Sequence, residues 1–321
     1  MKKVLITGGS GFIGCNLISY LVKKNYRVLN VDINEPKNSQ LNQYWQKCNI
    51  LDQNKLVSLA IDFNPQCVIH LAARTDLDGK SIHEYDVNTY GTKNVINTID
   101  RLQNVEKVLF ASSRLVNKIE DKPDNYTYYS ANTFYGKSKV VSEKLIRNMC
   151  KNKSYDYIIF RPTSLWGPWF GEPYNNFFRY LSSGLYFHPY KKKILKQFGY
   201  IENSVYILEK MLNTTISQNN NIVYLCDFEC LEVSEWANLI RKYQNKSKVH
   251  SVPLIFLKLL AILGTCLGRV GIKFPMTKFR LNNLLTDMYF DTDVLQKFCS
   301  PLPYTTEEGV ERTVNWMRQK K

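Results

Sequence analysis

Tyr135 and Lys139 stand four residues apart in Tyr135-Gly136-Lys137-Ser138-Lys139. On a helix that spacing puts both on one face. A free tyrosine loses its proton at about pH 10. An adjacent ammonium favours the phenolate and lowers that value. Such a tyrosine can exchange a proton with a hydroxyl or carbonyl near neutral pH. In a chain with 21 tyrosines the pair also arises as an ordinary surface contact, so it needs partners. Ser112-Ser113 supplies one, directly after the apolar run Lys107–Ala111. A hydroxyl at the carboxyl end of a parallel strand lies where ligands bind in such sheets. Turn formation is the competing use of a serine pair there.

The second chemical signal is Thr7-Gly8-Gly9-Ser10-Gly11-Phe12-Ile13-Gly14, between an apolar run and a helical pattern. Gly8, Gly11 and Gly14 follow the spacing of a dinucleotide turn. The first glycine permits the tight turn, the second lets backbone approach a pyrophosphate, and the third lets helix pack on strand. The helix start adds free N–H groups and partial positive charge. Asp32 closes the next strand, where a carboxylate can accept from a ribose 2′-hydroxyl. A 2′-phosphate there needs an arginine, and Ile33, Asn34 and Glu35 follow instead. The cofactor expected is NAD rather than NADP.

These residues need strands that end, and helices that begin, beside one another. Lys3–Thr7, Arg27–Asp32, Cys67–Leu71, Lys107–Ala111 and Tyr155–Phe160 read as strands, short and rich in Val, Ile and Leu. Phe12–Lys24, Asn54–Phe63, Ser81–Leu102 and Phe134–Lys151 read as helices between them. That alternation predicts an α/β fold, a doubly wound parallel sheet covered on both faces. After Arg161 the alternation stops, and aromatics, Pro and Gly cluster between Trp166 and Tyr190. A dinucleotide-binding domain over 1–165 and a smaller mixed α/β substrate region over 166–321 are expected, with some later segments returning to the first. A length of 321 residues suits two such units. Most of the aromatic cluster reads as core of the second.

The apolar fraction of 44% and charged fraction of 22% are those of a globular protein, not of a disordered, collagen-like or coiled-coil chain. The net charge of +15 admits nucleic acid, an anionic membrane surface or an anionic small substrate. Beyond Lys191–Lys193 no dense basic stripe appears, and no nucleic-acid module. Nucleic acid is therefore not expected. No run reaches the length of a membrane span. Val252–Leu267, broken by Lys258 and Gly264, reads as a buried helix of the substrate region. Peripheral contact with an anionic membrane stays open as a secondary property. Eight scattered cysteines without Cys-x-x-Cys pairs or nearby histidines suggest free thiols, no metal site and a reducing cytoplasm.

The ordered set is Thr7–Gly14, Asp32, His70-Leu71-Ala72-Ala73, Asn88 with Gly91-Thr92, Ser112-Ser113, Tyr135 to Lys139, and Arg161-Pro162 with Gly167-Pro168. In order and spacing it resembles the extended short-chain dehydrogenase/reductases, the nucleotide-sugar epimerase, dehydratase and reductase group. Phe198–Asn203 and Glu307-Glu308-Gly309-Val310 to Trp316 extend the likeness to the tail. The resemblance implies a Rossmann-type first domain. It also implies that Tyr135 is the acid/base, that Lys139 holds the nicotinamide ribose and tunes Tyr135, and that Ser113 holds the reacting oxygen. Asn88 would prop the site. Gly8, Ser10, Gly11, Phe12, Ile13, Gly14, Asp32, Asn49, Ile50, Leu71, Ala72, Ala73 and Pro162 would complete the cofactor site. Ser164, Lys196 and Arg280 would join Ser113 at the substrate, the two cations at its diphosphate. His70 is expected to be structural.

Arg114 and Leu115 stand where related 4,6-dehydratases carry an Asp-Glu pair, so dehydration is not expected. What remains is hydride transfer at a sugar carbon by a 4-epimerase or a 4-ketoreductase or dehydrogenase, in polysaccharide or O-antigen type carbohydrate biosynthesis. A steroid-type hydroxy dehydrogenase of the same family and a non-catalytic dinucleotide sensor are the alternatives. The implied substrate is a nucleotide-diphosphate sugar. The implied assembly is a homodimer through the Ser81–Leu102 and Phe134–Lys151 helices.

Overall fold

The computed structural model describes residues 1–121, 125–172, 174–216, 221–272 and 274–320. The elements run β1 (Lys3–Thr7), α1 (Phe12–Lys23), β2 (Arg27–Asp32), β3 (Trp45–Lys47), α2 (Gln53–Phe63), β4 (Cys67–His70), α3 (Asp86–Ile99), β5 (Lys107–Ala111), α4 (Phe134–Met149) and β6 (Asp156–Pro162). They continue with β7 (Leu165–Trp166), α5 (Tyr174–Ser182), β8 (Phe187–Pro189), β9 (Leu195–Lys196), β10 (Gly199–Tyr200), α6 (Ile201–Asn213), β11 (Ile222–Leu225), β12 (Leu231–Glu232), α7 (Val233–Tyr243) and β13 (His250–Val252). The last are α8 (Leu254–Arg269), α9 (Lys278–Leu285), α10 (Asp293–Cys299) and α11 (Thr306–Gln319).

Seven strands form one sheet in the order β11-β6-β5-β4-β1-β2-β3. All its pairings are parallel, with Val4 opposite Val28 on one side and Cys67 on the other. Alternate residues of β1 feed two layers. Val4 and Ile6 join Leu17, Ile18 and Leu21 of α1 and Val205 and Leu208 of α6. Leu5 joins Leu56 of α2, Val95 and Ile96 of α3 and Ile146 of α4. Strands buried on both faces explain the continuous apolar runs in the sequence. The chain order reverses between β1 and β4, and the crevice beyond their carboxyl ends is where ligands of such sheets bind.

Four elements depart from the sequence reading. Short β3, and β11 from well beyond residue 165, both join the large sheet. The Ser81–Leu102 helix starts only at Asp86, because Glu84 accepts from Lys80 N at 2.9 Å and Tyr85 Oη donates to Asp76 O at 2.9 Å, holding the preceding loop. Val252–Leu267 is corrected most. Only one side of α8 is buried, through Leu257 and Ala261 against Leu281 of α9. Its other side is exposed. Among the described residues no helix is long and apolar enough to cross a membrane. The aromatic cluster does form core, with Trp166 5.4 Å from Trp236 and Phe177 stacked on Trp236 at 5.1 Å.

Candidate active site

The glycine turn joins β1 to α1 at the crevice. Gly8 has φ +75°, a left-handed backbone that favours glycine. A Cβ there would lie 2.7 Å from the Leu71 carbonyl carbon, so the turn and the Leu71–Ala72 backbone pack too closely for a side chain. Gly14 packs equally tightly under Gly9. At Gly11 a Cβ would meet only Gly8 O, at 3.4 Å, so its outer side is open for a ligand. Ser10 N donates to Asp32 Oδ2 at 3.1 Å and Asn34 N to Asp32 Oδ1 at 3.0 Å, which fixes the carboxylate at the end of β2. Buried Asn30 donates to Ser10 Oγ at 3.0 Å. Phe12 and Ile13 open α1, their side chains packed on the core beside it. This cradle fits a dinucleotide, with the helix start at the pyrophosphate and Asp32 at a ribose.

Leu71, Ala72 and Ala73 follow β4 on the other side of the crevice. Asn88 ties them to α4. Its Oδ1 accepts from Arg74 N at 2.8 Å, and its Nδ2 donates to Arg74 O at 3.0 Å and to Ser138 Oγ at 2.9 Å. His70 bridges Thr7 Oγ1 at 2.7 Å and Thr92 Oγ1 at 3.0 Å. Burial pushes its pKa down to about 3, so it is a neutral strut. Asn49 is exposed, and its Oδ1 accepts from Leu51 N at 3.0 Å in its own loop. Ile50 is buried and its carbonyl accepts from Asn94 at 3.0 Å. It helps to pack α3 onto the sheet.

Thr133 caps α4 by accepting from Gly136 N at 3.0 Å, and so fixes where Tyr135 and Lys139 enter the crevice. Both are buried, and the Tyr135 ring lies 6.2 Å from that of Tyr85. Lys139 Nζ donates to Ala111 O, the last residue of β5, at 2.9 Å. Burial lowers the Lys139 pKa to about 8, with Glu143 opposing, so the ammonium persists at neutral pH. The two serines have separate tasks. Ser112 donates to the Glu143 carboxylate. Ser113 Oγ accepts from Leu115 N at 3.1 Å, at the mouth of the crevice. Pro162 ends β6, and half-buried Ser164 follows it at the same edge.

Residues 4–217 match the family described as "NAD dependent epimerase/dehydratase family". The chain belongs to this family.

Among its relatives, a UDP-glucose 4-epimerase of Mycoplasma genitalium is 30% identical over 175 residues, 50% of this chain and 51% of that one. An N-acetyl-α-D-glucosaminyl-diphospho-ditrans,octacis-undecaprenol 4-epimerase of Escherichia coli O157:H7 is 23% identical over 98% of this chain and 94% of its own. The chain spans about half the length of several other curated relatives it matches. The solved UDP-glucose 4-epimerase of Thermotoga maritima superposes with a TM-score of 0.75 over 99% of each chain, at 17% identity, which shows the shared fold.

The substrate side of this family member differs from the sequence expectation. Lys196 is buried, and its Nζ donates to Asn283 O at 2.6 Å and to Thr286 O. It ties down the end of α9. Burial first, and Arg114 second, lower its pKa to about 7. Arg280 is exposed on the first turn of α9 and donates to Pro275 O at 2.8 Å. Neither is among the residues lining the cavity next to Arg114. That cavity, about 310 Å³, has Arg114, Asn117 and Lys118 on one wall and Asp287 to Asp291 on the other. Among the described residues, the cations facing it are Arg114 and Lys118.

The sequence reading also missed Glu143. It stands one turn beyond Lys139 on α4 and pairs with Arg161 of β6. Its spacing of four from Lys139 was the available signal.

Proposed function

We propose that this protein is an NAD-dependent 4-epimerase acting on a sugar joined through a diphosphate to a nucleotide. The observation that carries the reading is Lys139 donating to Ala111 O at the end of β5, which sets α4 and its Tyr135 beside the strand that leads to Ser113. NAD, when bound, would accept the hydrogen of a sugar carbon as hydride and return it. Tyr135 takes the hydroxyl proton onto its phenolate oxygen and later gives it back. Lys139, cationic below about pH 8, favours that phenolate. Ser113 orients the same substrate oxygen. Asp32, held by Ser10 N and Asn34 N, suits a ribose hydroxyl and repels a 2′-phosphate.

Arg114 and Leu115 in the positions of an acid pair argue against water elimination. One relative that aligns over 98% of this chain is a 4-epimerase by name, which favours returning the hydride over net oxidation. The proposed division of labour puts the cofactor on residues 1–165 and the substrate mainly on 166–321, with α6 and β11 serving the sheet. Eight free thiols support a reducing cytoplasm. Exposed Tyr90 on α3 and Val141 on α4 support a homodimer through those helices.

Mass spectrometry of ligands released on denaturing the purified protein tests the cofactor. NAD is the expected species. Recovery of NADP instead overturns the assignment.

A further inference from the structure

The net charge of +15 is not spread along the chain. Residues 173–201 contain five lysines and arginines and no carboxylate. Residues 236–286 contain nine and no carboxylate. These two stretches carry fourteen of the fifteen net positive charges, and the rest of the chain is nearly neutral. They meet in space. β8 pairs in parallel with β13, Val252 opposite Pro189, and Tyr190 N donates to Val252 O at 2.8 Å. Exposed Lys191, Lys192 and Lys193 therefore leave β8 at the end where α8 begins.

α8 is apolar on both sides. One side packs on α9. The other presents Ile255, Phe256, Leu259, Ile262 and Leu263, which are 65, 47, 59, 46 and 50% exposed. Exposed Val270 and Ile272 prolong the patch. Lys258 is exposed on α8 itself, and Lys278 and Arg280 are exposed on the adjoining α9. A contiguous apolar face of this kind marks an interaction surface. A helix with one such face and a cationic rim suits the boundary between lipid headgroups and acyl chains, with anionic headgroups meeting the cations. A second copy of this chain would set two cationic rims against each other, with no carboxylate in either stretch to neutralise them.

We propose that the outer face of α8 and its lysine rim dock this protein onto an anionic lipid bilayer, with α8 lying in the plane of the headgroups. Docking ties the membrane to the substrate side, because α9 leads through Thr286 directly into Asp287, where the cavity wall begins. The proposal goes beyond the reaction and its test needs no turnover.

The test is co-sedimentation of the full chain with vesicles of phosphatidylcholine alone or mixed with phosphatidylglycerol, at low and high salt. Sedimentation with the anionic vesicles only, weakened by salt, is expected. Leu259→Glu with Ile262→Glu lowers the bound fraction at least about tenfold. Lys191→Gln with Lys192→Gln and Lys193→Gln weakens binding and flattens its salt dependence, and serves should the first variant misfold. Failure to bind anionic vesicles at low salt overturns the proposal. So does unchanged binding by a folded Leu259→Glu/Ile262→Glu variant. Conversion of a dimer to a monomer by that variant, without vesicle binding in the wild type, assigns the face to a second copy instead.

Discussion

Arg161 lays both arms of its guanidinium on the Glu143 carboxylate, Nε to Oε1 at 2.8 Å and Nη2 to Oε2 at 2.7 Å. Neither side chain has any exposure to solvent. Ser112 and Tyr129 donate to the same carboxylate, and Arg161 also reaches Tyr126 O and Tyr224 Oη. Every charge in the network is therefore met by hydrogen bonds, as burial demands. The pair locks α4 to β6, and α4 carries Tyr135 and Lys139.

Breaking this pair from one side should be severe. Glu143→Gln leaves a buried guanidinium without its counter-charge and is expected to cost about 3–5 kcal/mol. Urea denaturation measures it. Glu143→Met with Arg161→Met removes both charges and is expected to recover a large part of that loss.

Gly8→Ala tests the dinucleotide turn. The left-handed φ and the Leu71–Ala72 backbone both oppose a side chain. A loss of at least about 2 kcal/mol is expected. NAD affinity, followed by fluorescence titration, should fall with it.

His70 gives the fold a pH dependence. The unfolded side chain takes a proton near pH 6.5, whereas the buried one resists until about pH 3. The unfolded state thus binds more protons across that window. Its stability contribution is complete above 6.5 and is lost as pH falls. Between pH 6.5 and about pH 5 the wild type should lose about 2 kcal/mol more than His70→Gln. Thermal or urea unfolding at the two pH values measures the difference.

The parts legible in the sequence were those fixed by neighbours along the chain. Strand, glycine turn and helix at Lys3–Lys23 are local, and so is the Tyr135–Lys139 face. The parts not legible depend on distant packing. β11 pairs with β6 across some sixty residues, so no local pattern marks it as part of the first sheet. Lys196 was expected at a diphosphate, and only the fold shows its ammonium buried under α9, holding two backbone carbonyls. Glu143 went unread because its partner Arg161 lies on β6 and only the fold brings the two together. α8 carries the apolar run of a buried helix, but α9 and its neighbours cover only one side of it. What covers a face is set by tertiary neighbours, not by periodicity.

The central claim is a 4-epimerase in which Tyr135 moves the proton. The most direct measurement incubates the purified protein and NAD with nucleotide-diphosphate hexoses deuterated at C4, and follows configuration and label by NMR. The expected result is the C4 epimer of at least one sugar with deuterium retained at C4, and turnover reduced about a thousandfold in Tyr135→Phe while NAD still binds. Accumulation of NADH with an oxidised sugar and no epimer would contradict the claim, as would undiminished turnover by Tyr135→Phe.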